Sequence, residues 1–103
     1  MNGKLVRDRI PEIILQNDGK KAHTRKLSKS EFTQELYRKL QEEISEVIEA
    51  KNKEEILSEI ADVEEVLSAL MEIKGIQKGE VVKVQKKKKK ERGGFSDRIY
   101  LIQ

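Results

Sequence analysis

Two short acidic runs carry the groups best suited to chemistry in this chain. Glu42-Glu43-Ile44-Ser45-Glu46 and Glu59-Ile60-Ala61-Asp62 each place two carboxylates three residues apart. On a helix that spacing sets both acids on one side. Carboxylates are hard oxygen donors, and the chain has no cysteine and one histidine, His23. A cation site built from such donors suits magnesium or manganese, and magnesium keeps water and takes phosphate oxygens as well. Such a site can hold one or two ions, activate water and neutralise charge on a transferring phosphoryl group.

Helices must hold these acids at that spacing, and the sequence supplies their start and stop signals. Pro11 is the only proline, and Arg7-Asp8-Arg9-Ile10-Pro11 leads into a first helix through Ile13, Ile14 and Leu15. Asn17-Asp18-Gly19 ends it with turn chemistry. Residues 20–27 read as a basic loop. Ser28-Lys29-Ser30-Glu31 fits a capping box, the hydroxyl meeting a free amide and Glu31 reaching back. A second helix follows to about Ala50, and Asn52-Lys53-Glu54-Glu55 repeats the cap to open a third, stopped by Gly75. Gly79 to Arg92 reads as a shorter helix with Val81, Val82 and Val84 as its apolar side. Gly93-Gly94 breaks the chain, and Ile99-Tyr100-Leu101-Ile102 reads as a short extended tail that Lys4-Leu5-Val6 could join as a two-stranded ribbon. The predicted class is all-α, an antiparallel helical bundle in a single domain over residues 1–103, with short extended terminal segments.

Helical periodicity, about 100° per residue, then places the acids. On the second helix Phe32, Leu36, Leu40, Ile44, Val47 and Ala50 share one apolar arc. Glu43 lies inside that arc and Glu46 on its margin, while Glu42 and Glu49 point to the polar side. On the third helix Ile56, Ile60, Val63, Val66, Leu67, Leu70 and Ile73 make a broader arc, with Glu59 near its middle and Asp62 beside Val66 and Ala69. Folding the two helices into a hairpin about Asn52 sets Glu43 level with Asp62 and Glu46 level with Glu59. The inner pair then stands about 9 Å of helix rise from the turn.

Four acids converging among apolar side chains repel one another and lose hydration, at a cost of several kcal/mol per bare charge. Either they take up protons or a cation joins them. The plainer alternative is a set of solvated surface acids, the usual state of an ExxE run in so charged a chain. Matched levels on two apolar arcs favour a metal site, with Glu43, Glu46, Glu59 and Asp62 as ligands.

The same two runs resemble the EExxE and ExxD motifs of the MazG and phosphoribosyl-ATP pyrophosphohydrolase superfamily. Lys4-Leu5-Val6-Arg7-Asp8-Arg9-Ile10-Pro11-Glu12-Ile13-Ile14 looks like the opening of its phosphoribosyl-ATP pyrophosphohydrolase-like branch, and Glu91-Arg92-Gly93-Gly94-Phe95 resembles that branch near its C-terminal end. The resemblance implies an all-α, MazG-like enzyme that cleaves between the α and β phosphates of a nucleotide, releasing a nucleoside monophosphate and pyrophosphate. It implies magnesium held by Glu43, Glu46, Glu59 and Asp62, with one of them or the extra Glu42 orienting or deprotonating the attacking water. A standard or modified nucleoside triphosphate is the expected substrate, in preference to phosphoribosyl-ATP itself. A homodimer or homotetramer is the expected active unit, in keeping with the broad apolar arc of the third helix.

The ends of the chain are basic. Residues 1–30 carry eight basic and three acidic side chains, residues 31–73 four and thirteen, and residues 74–103 ten and three. An acidic centre between basic arms suits a site needing both a cation and a polyanion. Lys4, Arg7 and Arg9 could reach a triphosphate, arginine offering the planar fork that phosphate oxygens accept. The alternative for Arg7 is a local ion pair with Asp8. Lys86 to Lys90 wrap a full helical turn, so most form a solvated face, and Lys86, Lys90 and Arg92 are the set able to meet a ligand. Phe95 and Tyr37 read as packing residues, and His23 as exposed.

With 40% charged and 4% aromatic residues, the composition favours helix. No run approaches the roughly eighteen apolar residues a membrane span needs, and the N-terminus shows no signal-peptide pattern, so a cytoplasmic location is expected. The rival readings are a basic nucleic-acid-binding module built on the lysine run and a non-enzymatic helical interaction module. The dense acidic centre and the scarcity of aromatics count against the first.

Overall fold

A computed structural model of the protein describes residues 3–103. Four helices follow one another: α1 (Ile10–Asp18), α2 (Lys29–Glu49), α3 (Lys53–Ile73) and α4 (Lys78–Arg92). The fold is all-α, with no strand among the described residues.

Local chemistry sets the boundaries. Glu31 N–H donates to Ser28 Oγ at 3.2 Å, and Ser28 N–H donates to Glu31 Oε1 at 3.1 Å, the expected capping box. Arg25 grips the same carboxylate from the preceding loop at 2.9 Å. At α3, Glu55 N–H donates to Asn52 Oδ1 at 2.9 Å, and Lys51 N–H donates to Glu55 Oε1 at 3.1 Å. Gly75 then takes φ 68°, a left-handed conformation open to glycine at little cost, and ends α3. The α4 start moves one residue ahead of the sequence expectation, to Lys78, because the Glu80 carboxylate accepts from Gln77 N–H at 2.7 Å.

The antiparallel α2/α3 hairpin is the one substantial helix pairing among the described residues. Leu36 and Val66 are its buried apolar side chains, and the third buried side chain is Glu43, a carboxylate. Much of the remaining apolar surface faces outward: Ile44, Ile48, Ile56, Leu57, Ile60 and Leu67 are all exposed. The radius of gyration is 17.8 Å, against about 13 Å for a compact domain of this length. No helix among the described residues is long and apolar enough to cross a membrane.

The expected ribbon between Lys4-Leu5-Val6 and Ile99–Ile102 does not form. The N-terminal segment is instead drawn onto the hairpin, where Arg7 Nη2 donates to Asp62 Oδ1 at 2.7 Å. The tail stays solvated, with Ile99, Tyr100 and Ile102 each more than four-fifths exposed. A side-chain ion pair to α3 thus takes the place of a strand ladder.

Candidate active site

The site grows from the periodicity of two helices. Glu43 sits one turn beyond Lys39 and two turns beyond Leu36, the most buried of the described residues, so the core face of α2 carries it inward. Glu59 and Asp62 are half-buried on α3, three residues apart. One carboxylate oxygen from each of Glu43, Glu59 and Asp62 lies within 4.8 Å of the others. Glu46 and Glu42 are exposed on α2. Glu46 nevertheless exerts the largest like-charge effect on Glu59, as their equal level in the hairpin leads one to expect.

Crowding marks Glu59. Loss of hydration pushes its carboxyl above the usual carboxylate range, and the charges of Glu46, Asp62 and Glu43 push the same way. A hydrogen bond shared with Glu43 adds to the shift, since only the protonated form can donate it. Three oxygen donors, partly withdrawn from water and mutually repelling, fit a hard divalent ion. Glu43, Glu59 and Asp62 could therefore hold a metal.

Two cations flank these acids. Arg7 binds Asp62, as described, and Lys39 Nζ lies 3.6 Å from both Glu43 Oε1 and Glu42 Oε2. An open cleft of about 1080 Å³ runs beside them, its walls including Lys4, Arg7, Lys29, Lys39, Glu43 and Asp62. Leu5, Val6, Phe32 and Val66 supply apolar wall, so the cleft offers both charge and a greasy surface.

Of the basic residues singled out from sequence, the structure brings Lys4 and Arg7 to this cleft. Arg9 turns to Glu12 within α1, at 2.9 Å. Lys86, Lys90 and Arg92 lie exposed along α4 and are not among the cleft's walls. Arg7 pairs with Asp62, 55 residues away, where a local pair with Asp8 was the alternative. Lys39 and Lys29 were missed by sequence reasoning. The signal for Lys39 was present in its spacing, i−3 from Glu42 and i−4 from Glu43. Tyr37 packs under Lys74, whose Nζ stands 5.9 Å from the ring centre.

Fold and site together define a helical protein with an acidic seam between two antiparallel helices and cations on its flanks. The sequence model of the phosphoribosyl-ATP pyrophosphohydrolase family matches residues 13–89, and the chain belongs to that family. That family implies pyrophosphohydrolase-type chemistry on a nucleotide. No curated protein and no solved structure gives a match to the chain.

Proposed function

We infer that the protein is a magnesium-dependent nucleoside triphosphate pyrophosphohydrolase, one catalytic domain per chain, releasing a nucleoside monophosphate and pyrophosphate. The observation that carries this reading is the gathering of Glu43, Glu59 and Asp62 oxygens within 4.8 Å on the core side of the hairpin. Glu46 completes the ligand set from the margin of α2. Magnesium, or manganese of similar hardness, supplies positive charge at phosphate oxygens and acidifies water when bound. The chain's own residues do the rest. Lys4 and Arg7 meet the phosphates from the cleft wall, and the apolar wall takes the base. An acid of the seam, or Glu42 beside it, accepts the proton of the attacking water. Water forms the new P–O bond as the anhydride between the α and β phosphates breaks.

The active unit is a homodimer or homotetramer. The accessible surface of the single chain is 9839 Å², against roughly 6000 Å² for a compact monomer of this mass. The exposed Ile44, Ile48, Ile56 and Ile60 lie on the same hairpin as the acids, so burying them in a second copy would also exclude water near the site.

The direct test is a panel of nucleoside triphosphates incubated with magnesium, with pyrophosphate and monophosphate followed as products. Release of both in equal amounts from at least one triphosphate is expected. Liberation of single phosphates, or no magnesium requirement, would count against the reading.

A further inference from the structure

Asp62 meets two demands at once. Its Oδ1 accepts from Arg7 Nη2 at 2.7 Å, and one of its carboxylate oxygens lies within 4.8 Å of ligand oxygens on Glu43 and Glu59. The Arg7 side chain is 58% exposed and that of Asp62 36%. A pair so open to water is weak and can exchange without unfolding anything around it. Arg7 belongs to the segment ahead of α1, so its contact carries that segment across to α3. Lys39 contacts Glu43 at a longer 3.6 Å and from within the same helix, so it tethers no segment.

A divalent ion among Glu43, Glu59 and Asp62 sets a double positive charge beside the guanidinium, and like charges repel. The same planar fork that fits a carboxylate fits two phosphate oxygens, and Lys4 stands on the same cleft wall. We propose that Arg7 is an exchangeable counter-ion, yielding Asp62 to a divalent ion and moving onto a phosphate of the nucleotide. Ion and nucleotide then bind cooperatively, because each removes a competitor of the other. This proposal rests on the metal-site reading above.

The test uses calorimetric titration of the full chain and of Arg7→Met and Arg7→Lys, each checked for an unchanged helical spectrum. With Mn2+ alone, Arg7→Met should bind about two- to fivefold more tightly than the unaltered chain, since a competitor for Asp62 is gone. With preformed manganese tripolyphosphate, a probe without a base, Arg7→Met should bind roughly tenfold more weakly. Arg7→Lys should fall between in both titrations. An Arg7 that only anchors the N-terminal segment makes both affinities fall together, and that result overturns the exchange. Unchanged affinities overturn it too. Glu59→Gln separates the two levels of argument. If that variant binds Mn2+ like the unaltered chain, the metal site itself is wrong. If it loses Mn2+ while Arg7→Met behaves like the unaltered chain throughout, only the exchange fails.

Discussion

The two flanks of this molecule carry similar excess positive charge, yet they stand in different relations to its acidic centre. The N-terminal flank reaches the seam, with Arg7 on Asp62 and Lys4 in the cleft wall. The C-terminal flank is richer in lysine, yet among the described residues α4 makes no substantial helix pairing, and Lys86 to Lys90 are exposed. Charge alone therefore does not make a ligand site. A cation counts when packing brings it within a few ångströms of the group it serves, because water and salt screen the others.

The largest expected effect tests the centre to which both flanks are compared. Glu59→Gln should lower pyrophosphate release about a hundredfold or more, equivalent to roughly 3 kcal/mol of barrier, with its helical spectrum intact. Full turnover in that variant would falsify a catalytic role for Glu59. Magnesium should also stabilise the folded protein. At a hundred times its dissociation constant, binding contributes about 2.7 kcal/mol, on the order of a 10 °C rise in a melting scan. Glu59→Gln should show little of that rise, and an equal rise in both proteins would move the ion elsewhere.

Smaller effects sharpen the contrast between the flanks. Arg7→Met should reduce kcat/KM by roughly tenfold, mainly through nucleotide affinity. The double variant Lys86→Gln with Lys90→Gln should change kcat/KM less than twofold, in line with the small worth of exposed charges. A tenfold loss there would bring α4 into the cleft of another subunit.

The smallest effect is structural and lies where the loop between α1 and α2 meets the start of α2. Arg25 holds the Glu31 carboxyl down to about 2, helped by the Ser28 amide, from an ordinary value of 4.5. A lowered carboxyl stabilises the fold above its unfolded value and stops doing so as pH falls through its folded one. That contribution is therefore present above about pH 4.5 and disappears on the way to pH 2. Arg25→Gln should move the acid unfolding midpoint, followed by helical circular dichroism, to slightly higher pH. An unmoved midpoint would show that the pair contributes nothing to acid resistance.

The helices were legible in the sequence because their signals are local. The bonds of Ser28 with Glu31 and of Asn52 with Glu55 close within three residues. The placement of Glu43 among apolar residues follows from helical period alone, and its burial agrees with it. The level matching of α2 with α3 needed only a short turn at Asn52.

The chain by itself thus determined the four helices, the hairpin and the convergence of Glu43, Glu59 and Asp62. Only the tertiary structure decided that Glu46, expected to converge with them, stays exposed and outside that group, and that Arg7 reaches across 55 residues to Asp62 in place of a strand pairing. The physical reason is range. Capping and periodicity depend on neighbours a few residues away, whereas a contact between distant segments depends on how whole helices pack and on which of several similar cations the packing brings close.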